Sequence, residues 1–90
     1  MLLVLYDIKN NKTRTHFSKF LQRFGRRLQY SVFEIKNSPR ILENISVEIR
    51  IRFEKRFTQS DSVLIFDVSD NSCVGRFGYP KNEESDLIIM

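Results

Sequence analysis

Two short, almost uninterrupted apolar runs set what this chain can become. Residues 2–8 read Leu-Leu-Val-Leu-Tyr-Asp-Ile, and residues 63–68 read Val-Leu-Ile-Phe-Asp-Val. Both are strand-sized. Apolar side chains at both alternating positions predict strands covered on both faces, in the middle of a sheet. Neither run approaches the roughly 18 residues of a membrane span. The first lacks a basic flank and is broken by Asp7, so it does not read as a signal peptide.

The stretch between them alternates helix and strand patterns. Residues 9–12 are polar and turn-like, and Asn11 or Thr13 can cap a helix there. Phe17, Phe20, Leu21 and Phe24 follow at helical spacing, and Gly25 suits a left-handed helix terminus. Residues 28–36 are extended, either as one kinked strand or as two strands bent near Tyr30 and Ser31. Ser38 and Pro39 open a second helix, whose stripe is Ile41, Ile45, Ile49, Phe53 and Phe57 at strict four-residue steps. Gln59 and Ser60 end it. Beyond the second apolar run, Asp70 and Asn71 signal a turn, and residues 74–79 read as a shorter strand.

The order predicts an α+β, ferredoxin-like sandwich with two helices on one face of a mainly antiparallel sheet. Residues 1–80 make that domain. Residues 81–90 are a polar, acidic linker followed by Leu87, Ile88, Ile89 and Met90. The helix-free sheet face needs a cover, and the apolar tail needs a strand to pair with. A homodimer meets both needs, with sheet faces packed together and the C-terminal strand docking on the partner. A tail folded back on its own sheet is the alternative.

Charge is unevenly spread. Residues 1–60 carry thirteen Lys/Arg and five Asp/Glu, whereas residues 61–90 carry two and six. Lys9, Lys12, Arg14, Lys19, Arg23, Arg26 and Arg27 occur without one intervening acid. A segment of one sign suits phosphates, although a solvated helix face produces the same pattern. Ninety residues leave no room for separate catalytic and binding domains, so chemistry should sit at the surface or between subunits. Cys73 is the lone cysteine, which rules out an internal disulfide and suits a cytoplasmic protein. One Cys and one His cannot build a four-ligand zinc site. Phosphate-cradling and dinucleotide-binding glycine motifs are absent, as is the aromatic signature of RNA-recognition sheets.

Asp7 stands out chemically. A carboxylate at the end of a central strand must be paired, or bound to a cation, to offset its desolvation. It could cap the first helix or pair with a nearby Arg. Two copies across a dimer axis could instead hold Mg²⁺, which accepts one or two carboxylates and fills its other positions with water. His16 reads as a surface helix residue before a general base, and Ser31 has no His–Asp arrangement nearby in sequence. Tyr6 reads as a core or interface aromatic.

Three stretches carry a family resemblance. They are Leu3-Val4-Leu5-Tyr6-Asp7-Ile8, the block Phe24-Gly25-Arg26-Arg27-Leu28-Gln29-Tyr30-Ser31-Val32-Phe33-Glu34, and Asp61-Ser62-Val63-Leu64-Ile65-Phe66. In order and spacing they resemble the small CRISPR-associated adaptation proteins, the second of the two core proteins of spacer acquisition. The likeness is good over residues 1–68 and loose beyond. It implies a ferredoxin-like homodimer and a metal-dependent endonuclease, with one Mg²⁺ shared between the Asp7 carboxylates of two subunits. It further implies that Arg14, Arg27, Ser31 and Phe33 contact nucleic acid or shape the site, with Tyr6 beside them. Lys12, Lys19 and Arg23 extend the basic surface. The resemblance also implies that the dimer bridges the CRISPR-associated integrase and holds duplex DNA, with single-stranded RNA a further substrate and no membrane partner. His16 departs from the pattern, standing where a second helix Arg is common. A non-catalytic DNA scaffold and a ferredoxin-like ligand-binding regulatory module are the competing readings.

Overall fold

A computed structural model describes residues 1–69 together with Asn71, Val74, Gly75, Phe77 and Gly78. The elements are β1 (Leu2–Asp7), α1 (Asn11–Gln22), β2 (Gly25–Gln29), β3 (Val32–Ile35), α2 (Pro39–Glu48) and β4 (Ser62–Asp67). The sheet order is β2-β3-β1-β4, and every pairing is antiparallel. This is the split βαβ arrangement of the ferredoxin-like fold. Residues 28–36 thus hold two strands, and the first begins three residues earlier, at Gly25. Tyr30 and Ser31 form the turn, with Ser31 at φ 63°.

Alternation along β1 divides its side chains between two surfaces. Leu2, Val4 and Tyr6 face the helices and are buried. They meet Phe17, Phe20 and Leu21 of α1, Phe33 and Ile35 of β3, Ile45 of α2, and Phe53. Phe17 sits edge-on to Tyr6 and to Phe53, with ring centroids 5.0 Å apart in each case. Leu3, Leu5 and Asp7 take the opposite, helix-free surface. Their partners there are Phe66, Leu64 and Ser62 of β4.

The strand expected at the sheet centre in residues 63–68 lies at an edge instead. Its alternating exposure has a direct cause: Val63 and Ile65 pack on the helical core, while Leu64 and Phe66 project from the open face. An apolar run covered on both sides and one awaiting a cover are identical in sequence. Among the described residues of 74–79, Val74, Gly75, Phe77 and Gly78 belong to no strand. Residues 79–90, including the linker, the docking strand and the proposed domain boundary, lie outside the described residues, as does Cys73.

Local signals explain the element ends. Asn10, rather than Asn11 or Thr13, caps α1, its side chain accepting from the Thr13 N–H at 2.9 Å. Ser38 caps α2 by accepting from the Ile41 N–H at 3.1 Å, with Pro39 in the first turn. Strict four-residue spacing overshoots an α-helical turn by about 40° per step. The chain absorbs that drift in a π-helical turn at Ile49–Phe53, where the Glu54 N–H donates to Ile49 O, five residues back. Ile45 and Phe53 therefore both reach the core. A 3₁₀ turn, Glu54–Arg56, follows, and Phe57 is already extended, so the helix stops before Gln59 and Ser60.

Gly25 does not terminate α1 in a left-handed conformation; α1 ends through Arg23, a right-handed residue. Glycine is needed at position 25 because strands meet there. A Cβ would stand 2.0 Å from Glu34 O and 2.8 Å from Ile35 Cγ1. Gly25→Ala should therefore destabilise the domain by roughly 3 kcal/mol, the upper end of overpacking costs, measured as a lower urea midpoint with an unchanged slope.

Candidate nucleic-acid interface and metal site

One end of the sheet gathers residues that are far apart in sequence. Between α1 and the β2–β3 turn lies a recess of about 220 Å³. Tyr6, Arg14, Lys19, Arg27 and Ser31 all line it, five of the nine residues expected at a site. Thr15, Ser18, Gln22 and Tyr30 complete its wall, and none of the nine wall residues is acidic.

Two of the cations are fixed in place. Arg14 donates from Nη1 to Ile8 O at 2.9 Å, and its Nη2 meets Asn11 Oδ1. This ties the first turn of α1 to the end of β1. Arg27 donates to Ser18 Oγ, and its guanidinium lies 5.3 Å from the centroid of the Phe33 ring. Phe33 is fully buried and is not in the recess wall, so it acts through Arg27. Ser31 accepts from the Tyr6 N–H through its carbonyl at 3.0 Å, joining the turn to β1. A left-handed φ at a non-glycine residue is strained, and strain of this kind collects at functional positions. Here it places the Ser31 side chain in the wall.

Lys19 also reaches a second groove, formed with His16, Phe20, Arg23 and Arg52. The Arg52 guanidinium lies 4.9 Å from the Phe53 ring centroid and 5.7 Å from that of Phe20, and pairs with Glu48 at 3.2 Å. Lys12 is exposed on α1 and lines neither cavity. Arg52 escaped sequence reasoning because it interrupts the apolar stripe of α2 like any solvated residue. Tyr30 read as one more strand aromatic, yet the residue is largely exposed.

Asp7 is not buried. Its side chain is 62% exposed and pairs with Lys9 Nζ at 3.0 Å, rather than capping α1 or meeting an Arg. The helix-free face explains this: β1's alternation sets Asp7 on that face, opposite Ser62. The loop after it is held by Asp61, whose carboxylate accepts from the N–H groups of Lys9 and Thr58, both at 2.8 Å. The Thr58 N–H foremost, then that of Lys9, holds the Asp61 carboxyl below its ordinary value of 3.8. The Asp-Ser-Val start of β4 thus positions the loop that follows Asp7 and carries its partner Lys9. Among the described residues, no group of three or more His, Cys, Asp or Glu side chains could hold a metal. None of their helices is long and apolar enough to cross a membrane.

Fold and site together define a ferredoxin-like α+β domain with a basic recess at one end of its sheet. The chain belongs to the family described as CRISPR associated protein Cas2, whose model matches residues 1–75. It is 32% identical over 75 residues to the CRISPR-associated endoribonuclease Cas2 2 of Methanospirillum hungatei, covering 83% of this chain and 79% of that protein. Among solved structures, the hypothetical protein TT1823 from Thermus thermophilus is similar at a TM-score of 0.69 and 27% identity, over 89% of this chain and 95% of that one. The Cas2 of Streptococcus pyogenes, crystallised at pH 6.5, shares the fold at a TM-score of 0.66 and 24% identity, over 82% and 98% of the two chains.

The Asp61 latch makes a pH prediction. A carboxylate with a depressed folded pKa contributes stability that is full above its ordinary value and is lost as pH falls through the folded value. The stability gap between wild type and Asp61→Ala should be constant above about pH 5 and close progressively below 3.8. Urea titrations of both proteins across that range measure it.

Proposed function

We propose that this chain works as a homodimer in CRISPR spacer acquisition. In this reading it binds nucleic acid, bridges copies of the CRISPR-associated integrase, and cuts RNA or DNA in a Mg²⁺-dependent reaction. The observation that carries the binding role is the gathering of Arg14, Lys19 and Arg27 in one recess without an acid. Family membership supports adaptation, and the name of the Methanospirillum hungatei relative supports endonuclease action on RNA. The open sheet face supports a dimer: Leu64 and Phe66 are exposed there beside half-buried Leu3 and Leu5. Burying such a patch against a second copy removes it from water.

The fit of Mg²⁺ rests on the donors. One exposed carboxylate per chain is too few alone, but two Asp7 carboxylates meet the one or two that the ion accepts alongside water. Bound there, Mg²⁺ supplies an activated water and charge stabilisation at a phosphodiester. The chain's own residues do the rest. Asp7 holds the ion, and Asp61 fixes the loop that follows Asp7. Arg14, Lys19 and Arg27 draw in phosphates, with Lys12 and Arg23 extending the field. Tyr6, Ser31 and Phe33 shape the recess. Lys9 competes with the ion for Asp7.

Cleavage and capture are separable by substitution. Asp7→Ala should abolish Mg²⁺-dependent cleavage of RNA and duplex DNA while folding, dimerisation and DNA capture with the integrase persist. Equal cleavage by both proteins places the chemistry elsewhere. The lone carboxylate favours a second reading, a DNA scaffold that cleaves nothing; absence of cleavage in wild type across pH and metals selects it. An exposed ion pair is worth at most about 1 kcal/mol. Lys9→Gln should therefore lower the Mg²⁺ concentration for half-maximal cleavage by no more than about fivefold. Arg14→Gln and Lys19→Gln should each reduce the salt dependence of binding by about one phosphate contact, read as the slope of log affinity against log salt.

A further inference from the structure

Resting on the nucleic-acid reading above, we propose that the recess between α1 and the β2–β3 turn holds the terminal phosphate of a nucleic-acid strand. It would not then be one more contact to the running backbone. Size gives the first argument. About 220 Å³ falls short of the roughly 300–1,000 Å³ of a pocket that encloses a small-molecule ligand. It suits one charged group presented by something larger.

Charge gives the second. Three cations line the recess with no carboxylate. A backbone diester carries a single negative charge, whereas a terminal phosphomonoester carries about −1.5 to −2 at pH 7 and three acceptor oxygens. Two of the three cations are also pre-set, Arg27 by Ser18 and Phe33, Arg14 by Ile8 O. Little side-chain entropy remains to be lost when the dianion enters. The hydroxyls of Thr15 and Ser31 add donors suited to phosphate oxygens.

Geometry at the wall gives the third. Tyr30 is 71% exposed beside the recess. An exposed aromatic next to a phosphate site is a stacking platform for a base, and it carries no sequence preference. Phosphate in the recess and terminal base on Tyr30 together describe the end of a strand. A continuing backbone would present to the same three cations a diester of about half that charge.

The test is equilibrium binding, by fluorescence anisotropy at fixed salt, of one 12-nucleotide single strand in three forms. They carry a 5′-phosphate, a 3′-phosphate, or hydroxyls at both ends. Wild type should bind one of the phosphorylated forms at least about tenfold more tightly than the hydroxyl form, as expected for hydrogen bonds to a charged group. Lys19→Gln and Ser31→Gly should bring that ratio to within about twofold. Both variants keep the fold: Lys19 is exposed on its helix, and glycine accepts the φ of 63° at position 31. Tyr30→Ala should weaken the phosphorylated form alone. Equal binding of all three forms with salt dependence intact overturns the end-binding role and leaves the nucleic-acid reading standing. A preference undiminished in Lys19→Gln and Ser31→Gly also overturns it, since the end is then read elsewhere. Failure of every form to bind overturns both.

Discussion

The Phe17 ring is the contact on which this small domain depends. It meets Tyr6 from β1 and Phe53 from the π-helical turn edge-on, with Phe20 packed 6.1 Å away. Sheet, first helix and second helical segment therefore converge on a single side chain. Tyr6 then lies against Phe33, with centroids 6.3 Å apart, and Arg27 lies over Phe33. The chain of rings that closes the core thus continues outward to a recess cation. Core packing and the recess share the same residues, so a core change at Phe17 or Phe33 is felt at Arg27.

A sheet with helices on one side leaves its other side to be covered. β1 shows the consequence most directly, because neighbouring residues Tyr6 and Asp7 leave the strand in opposite directions. Tyr6 enters the core and the recess wall, whereas Asp7 joins Leu3 and Leu5 on the open face. Any packing of that face against a second copy brings Asp7 toward the junction while leaving the basic recess accessible from the helix side. The proposed division between ion-holding and phosphate-holding surfaces follows from a period of two along one strand.

The parts of this arrangement that the sequence disclosed are those set by local chemistry. The Ser38–Pro39 start of α2, the helical stripe of α1 and the central place of β1 all follow from side chains within a few residues of each other. The edge position of β4 did not, because a run bearing Leu64 and Phe66 is written alike whether it meets its own chain or another. Gly25 misled for a related reason. A glycine after a helical stripe signals a left-handed terminus, and nothing nearby in sequence reveals Glu34 O crossing 2.0 Å from where its Cβ would be. Strict four-residue spacing in the second helix did carry a trace of the π-helical turn, since an unbroken α-helix would have rotated Phe53 away from Ile45.

The candidate site follows the same division. Seven basic residues without an acid announced a polyanion surface, but composition alone could not rank Arg14 and Arg27 above Lys12 and Arg26. The fold ranks them. The short passage from α1 into β2 sets Arg27 beside Ser18, while the cap at Asn10 brings Arg14 back over the end of β1. Arg26, one residue away, leaves β2 on the other face and pairs with Glu34 at 3.2 Å. Of two adjacent arginines, one is neutralised on the sheet surface and the other is held toward the recess. The strand's alternation makes that choice, so a one-residue shift of β2 would exchange the two and take from the recess one of its two fixed cations. The close approach at Gly25, which sits in register opposite Ile35 of β3, is therefore as much a determinant of the recess as the arginine itself.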